Sequence, residues 1–126
     1  MTDFINTGVY DRNRPFYTTS SPSMDILISS NLERLLYHLY DQDEAKVADL
    51  MKQLSSDGKY EVSAEVLAKL QNEFAGGYCD EVSTRETISK LFAEKHYLCD
   101  THTAVAMNVY EQYVDATGDK TPTVIA

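Results

Sequence analysis

A mainly helical α/β chain with a few short, largely parallel strands is the fold class that the residues predict. Apolar residues recur at the i, i+3, i+4 spacing that lines one face of a helix. Two short runs, residues 96–99 and 121–126, have the apolar or β-branched character of strands. The five glycines and three prolines stand singly or in pairs where those elements end.

In chain order, Thr2 to Gly8 has the look of the last turns of a helix stopped by glycine. Residues 9–28 hold two prolines and a run of hydroxyl side chains without helical period, and read as an irregular polar segment with one short strand. Ser30 or Asn31 is placed to cap a helix whose Leu32, Leu35, Leu36 and Leu39 form a buried stripe. A second stripe of Val47, Leu50, Met51 and Leu54 ends at Gly58, and the two helices are expected to pack as a hairpin. Tyr60 to Val62 reads as an extended link. Ser63 then caps a helix burying Val66, Leu67, Leu70 and Phe74, broken at Gly76 and Gly77. Ser83 and Glu86 fit a capping box, in which the two side chains satisfy exposed backbone donors reciprocally, with Ile88, Leu91 and Phe92 as the buried face. Asp100 to Thr103 offers caps for a last helix burying Val105, Val109, Tyr110 and Tyr113, stopped at Gly118.

A chain of 126 residues reads as a single structural unit, 1–126, and both ends look like cuts: little helix precedes Gly8, and the final β-branched run has no turn after it and few strands to pair with. Twenty acidic against eleven basic side chains give a net charge of -9, which repels phosphate backbones and argues against nucleic acid as a partner. The charge is spread along the chain, as on a solvated surface. Two cysteines without metal or redox spacing, no leader-like N-terminus and no long apolar run point to a cytoplasmic protein with no membrane role.

Little chemistry announces itself. His38, His96 and His102 have no metal-ligand spacing, so no metal is expected. His102 stands out at a strand-to-helix junction, where open α/β sheets collect ligands. No serine sits in a nucleophile elbow, and no glycine-rich phosphate loop is present. Carboxylate pairs such as Asp80 and Glu81 lie at helix starts, where they complement the helix dipole.

More specific is the order of several motifs. Thr18 to Ile26 (TTSSPSMDI), followed by Ser30 to Leu35 (SNLERL), resembles a signature region of bacterial and fungal threonine synthases. Thr2-Asp3-Phe4 with Thr7-Gly8 and Tyr10, Asp100 to Ala106 (DTHTAVA), and the closing Tyr110, Thr117-Gly118-Asp119 and Thr123 to Ala126 agree with that family in order and spacing. The resemblance implies a C-terminal fragment of a tryptophan-synthase-like, pyridoxal-phosphate-dependent fold. The parent would be a lyase of threonine biosynthesis, converting O-phosphohomoserine and water to threonine and phosphate. It also implies that the anchoring lysine and glycine-rich cofactor loop belong to a preceding N-terminal part of the same protein. No catalytic or cofactor-binding residue is therefore carried over, and no cofactor is expected on the chain alone.

Ser21, Asp25, Ser30, Asn31, Arg34, His102 and Thr103 remain as substrate-region candidates, read either as caps and packing groups or as lining for the phosphate end of the pocket. Where the family carries proline the chain has Thr101, which is expected to loosen the turn before His102. Uncovered apolar faces suggest a homo-oligomer. The other reading open to the sequence is a free-standing acidic helical module that binds a protein partner.

Overall fold

The computed structural model describes residues 1–126. Where the sequence reads as one unit, the contacts gather into two: Met1–Phe16 with Ile26–Gly76, and Tyr17–Asp25 with Gly77–Ala126. The division falls within the polar, proline-bearing segment and between Gly76 and Gly77.

In the first unit, α1 (Thr2–Thr7) ends as expected on Gly8 in the left-handed conformation, φ 76°. Next come β1 (Val9–Asp11), α2 (Asn31–Leu39), α3 (Glu44–Ser56), β2 (Lys59–Glu61) and α4 (Ala64–Glu73). The leucine stripe of α2 buries Leu32, Leu36 and Leu39, that of α3 buries Val47, Leu50 and Leu54, and the two helices meet as the expected hairpin. Asp43 and Ser63 cap α3 and α4 by accepting the backbone N–H of Lys46 and Val66. Leu70 of α4 is buried, but Phe74, expected on that face, ends the helix in extended backbone and is exposed.

The strands correct one expectation. The pair that forms is antiparallel, with Tyr10 opposite Tyr60, rather than parallel. Alternation turns both tyrosines inward, where they stack with ring centres 5.3 Å apart and Phe4 meets each ring edge-on. Burial, and then the neighbouring Tyr10 and Tyr40, push the Tyr60 phenol well above its ordinary value of 10.0. The folded chain thus keeps this proton after the unfolded chain has lost it, so stability falls as pH rises past about 10. Tyr60→Phe is expected to flatten that alkaline slope in pH-dependent urea unfolding.

The second unit consists of a 3-10 turn (Pro22–Met24), α5 (Glu81–Lys95) and α6 (Thr101–Thr117). Helix α5 starts earlier than the capping-box reading places it: the Asp80 carboxylate accepts the Ser83 N–H and makes Asp80 the cap. Its buried residues are Thr84 and Thr87, Ile88 and Leu91 are half-buried, and Phe92 is exposed. Helix α6 packs on α5 mainly through Ala104 and polar contacts, with Asn108 Nδ2 donating to Thr87 Oγ1 (3.1 Å) and Lys90 pairing with Glu111 (2.8 Å). Val105, Val109 and Tyr110 are only half-buried and Tyr113 is exposed, because α5 is the single helix against which α6 lies within this unit.

The two strands expected at residues 96–99 and 121–126 do not form. His96 turns left-handed, φ 54°, to end α5, Tyr97 and Leu98 are exposed, and only Cys99 is buried. Val124 is 92% exposed. A strand holds its backbone groups by pairing, and neither segment has a neighbour to pair with. The mainly helical α/β class stands. No helix is long and apolar enough to cross a membrane.

Candidate functional site

The substrate-region candidates fall into two groups, one in each unit. In the second unit they surround the segment 17–25. Both oxygens of Asp25 are used at home, Oδ2 accepting the Thr19 N–H (2.6 Å) and Oδ1 the Thr19 hydroxyl (2.9 Å). Ser21 is 2% exposed, and its Oγ lies 2.5 Å from His102 Nδ1. The segment is held from outside by Glu81, whose Oε1 accepts both the N–H and the hydroxyl of Ser20 (2.7 and 2.9 Å), and by the Thr101 hydroxyl, which donates to the Ser20 carbonyl (2.8 Å).

That last bond revises the expectation for Thr101. As first residue of α6 it occupies a place that proline tolerates, yet its hydroxyl makes a link proline lacks, so the turn is tied rather than loosened. The start of α6 is also less open to an anion than its position suggests. Asp100 Oδ1 accepts the N–H of His102 (2.8 Å) and of Thr103 (3.0 Å), and Oδ2 accepts the Thr103 hydroxyl (2.8 Å). Both amides and the Thr103 side chain are thereby taken.

These bonds favour the charged carboxylates. The Ser20 amide and then its hydroxyl hold Glu81 below its ordinary value of 4.5, and the Thr103 amide and then its hydroxyl hold Asp100 below 3.8. Groups whose values fall on folding contribute stability above their unfolded values and lose it as pH drops through the folded ones. The second unit is therefore expected to lose stability progressively below about pH 4.5, and Glu81→Gln to lose less over that window in acid-titrated circular dichroism.

In the first unit, Ser30, Asn31 and Arg34 line a groove of about 760 Å³ between α2 and α3, together with Tyr37, His38, Glu44, Val47 and Ala48. Ser30 precedes α2 with helical angles, φ -67° and ψ -24°, and makes no side-chain cap. The Leu32 N–H turns to the Ser29 carbonyl instead, and Asn31 Oδ1 accepts from the Arg34 guanidinium. Arg34 is the one guanidinium or ammonium in a wall that also holds Glu33 and Glu44, so the groove has mixed charge.

Sequence reasoning singled out Ser21 and His102 separately and missed their contact, which spans 81 residues. It named Glu81 and Thr101 only for their places at helix starts, and missed Ser20, to which both are bonded. Glu81 is explained by its place at a helix start, and nothing local signals its partner 61 residues away.

A pyridoxal phosphate cofactor needs an amine held ready to form an imine and a cradle for its phosphate. The lysines do not fit the first requirement. Lys69 is paired with Asp41 (2.9 Å) and Glu65 (3.4 Å), which raises its value, Lys90 is held likewise by Glu111, and the remainder are exposed. The glycine pair does not fit the second, since a Cβ at Gly77 would meet Val109 Cγ1 at 2.7 Å and one at Gly76 would meet Ile5 Cδ1 at 3.2 Å, which marks both as packing positions.

No family model matches the chain. Threonine synthase-like 1 of Macaca fascicularis is 39% identical over 118 residues, 93% of this chain and 16% of that protein. Threonine synthase of Saccharomyces cerevisiae is 33% identical, covering 93% of this chain and 25% of that protein. The crystal structure of threonine synthase from yeast superposes with a TM-score of 0.86 at 32% identity, over 95% of this chain and 26% of that one. PLP-bound threonine synthase from Brucella melitensis gives a TM-score of 0.82 at 36% identity, over 88% of this chain and 24% of that one. The chain thus spans a quarter or less of the length of these curated relatives.

Proposed function

Because this chain is related in sequence and fold to a segment of the threonine synthases, we propose that it serves as the C-terminal part of such an enzyme and does no chemistry alone. The observation that carries this reading is a close likeness to one quarter of a larger fold, combined with lysines that are exposed or ion-paired. In the whole enzyme, pyridoxal phosphate supplies the electron sink, held by an N-terminal part of the same polypeptide. The substrate is O-phosphohomoserine, the products are threonine and phosphate, and the setting is the cytoplasm, which suits two unpaired cysteines.

Within that enzyme, the Ser21–His102 corner is one candidate for the phosphate end of the substrate and the Arg34 groove is a separate one. Asp25 and Thr103 hold backbone in place instead, their polar groups being satisfied within the chain. Ser30 and Asn31 contribute to the Arg34 groove.

The test is an assay of the purified chain with O-phosphohomoserine and pyridoxal phosphate. No phosphate release and no site-specific imine absorbance are expected, and phosphate release by the chain alone would overturn the proposal. Exposed Tyr78, Val82, Phe92, Leu98 and Val124 in the second unit are the apolar surface that the rest of the enzyme would cover. Without that cover the chain is expected to self-associate, seen as mass rising with concentration in light scattering. A monomer at all concentrations would count against it.

A further inference from the structure

We infer that Ser21 is a positioning residue that fixes the tautomer of His102, leaving Nε2–H as the donor this corner presents to a ligand oxygen. The direction of the short bond follows from counting protons. A serine hydroxyl has one proton to donate, and a neutral imidazole has one donor and one acceptor nitrogen. Ser21 is 2% exposed, and His102 Nδ1 is the one partner of its Oγ. Were Nδ1 to carry the ring proton and donate it, the serine proton would be left buried with no acceptor, a costly arrangement that native structures avoid. With Oγ–H donating to Nδ1, the hydroxyl is satisfied and the ring proton resides on Nε2.

The serine cannot turn away to suit another ring state. Its N–H donates to Thr19 Oγ1 (3.0 Å), its carbonyl accepts the Met24 N–H (2.9 Å), and the preceding Ser20 is bound by Glu81 and Thr101. His102 Nε2 has no protein partner, yet it is not among buried unsatisfied atoms, so solvent or ligand reaches it. The His102 and Thr103 amides beside it are consumed by Asp100. Nε2–H is accordingly the side-chain donor that His102 presents at this corner, suited to a phosphate or carboxylate oxygen, an assignment of ligand that rests on the reading of the corner as substrate-facing.

The tautomer itself is measured without substrate, so its failure leaves the proposed function standing. Two-bond proton–nitrogen spectra of the 15N-labelled 126-residue chain at alkaline pH are expected to show the His102 proton on Nε2 alone, with Nδ1 as a hydrogen-bonded acceptor. Ser21→Ala is expected to shift the Nδ1 resonance toward that of a free imidazole and to populate the second tautomer, and Ser21→Thr, which retains the hydroxyl, to restore the original signature. A proton on Nδ1 in the unaltered chain would overturn the inference whether or not the variants fold, as would an unchanged His102 spectrum in a folded Ser21→Ala.

Discussion

Phe4→Ala is expected to remove about 3–5 kcal/mol from the stability of the first unit, enough to leave a large part of it unfolded at 25 °C. The side chain is 1% exposed and comes from a helix of only six residues, which would not persist in isolation. This ring is the one buried side chain of α1, which Ile5 packing and the Gln71 bonds to the Ile5 and Asn6 carbonyls support from outside. It meets Tyr10 at 5.6 Å and 87° and Tyr60 at 6.0 Å and 76°, so truncation opens a cavity between the helix and the inner face of both strands. Each edge-to-face pair contributes roughly 0.5–1.5 kcal/mol beyond buried area, which places the loss toward the upper part of the range for such changes. Chemical denaturation followed by tyrosine fluorescence is the measurement, and a loss under about 1 kcal/mol would show that α1 is not part of this core.

Elements with a one-sided apolar stripe were legible. Leu32, Leu36 and Leu39 in α2, and Val47, Leu50 and Leu54 in α3, face the core because each helix lies on the surface of a compact unit, the setting in which helical periodicity and burial coincide. In α5 the two agree only in part: Thr84 and Thr87 are fully buried, Ile88 and Leu91 on the same face are half-buried, and Phe92, one position round from Leu91, is exposed. Periodicity read from one sequence finds the packed face through Ile88 and Leu91, misses the two threonines at its centre, and extends it one residue too far to Phe92. The run at 121–126 fails because β-branched residues favour a strand only when neighbouring strands accept their hydrogen bonds.

The candidate site divides along the same line. Asp100 and Ser63 were visible as caps because their partners lie two or three residues away. The bonds from Glu81 to Ser20 and from His102 to Ser21 join residues far apart in the chain, and no local pattern encodes them. What the motif order carried was the likeness to threonine synthases, which depends on matching many separated residues and not on knowing any one contact.

Gly58→Ala is expected to cost about 2–3 kcal/mol, more than a left-handed backbone alone explains. Gly58 sits at φ 76° between α3 and β2, and an L side chain there incurs roughly 1–2 kcal/mol. The added methyl also meets the Asn13 carboxamide, whose Cγ would stand 2.7 Å away. Asn13 cannot swing aside freely: its Nδ2 donates to the Asp57 carbonyl (3.1 Å) and its N–H to Asp11 Oδ1 (2.7 Å), while Arg12 N–H binds the Gly58 carbonyl (2.9 Å). Moving it forfeits a hydrogen bond worth roughly 1 kcal/mol and loosens the clasp that sets the register of β1 against β2. Gly118 supplies the control, with φ 70° and nothing within 4 Å of an added Cβ, so Gly118→Ala should incur the backbone cost alone. Thermal unfolding of the two variants isolates the contact with Asn13, and equal losses at both positions would mean that this clasp adds nothing to the fold.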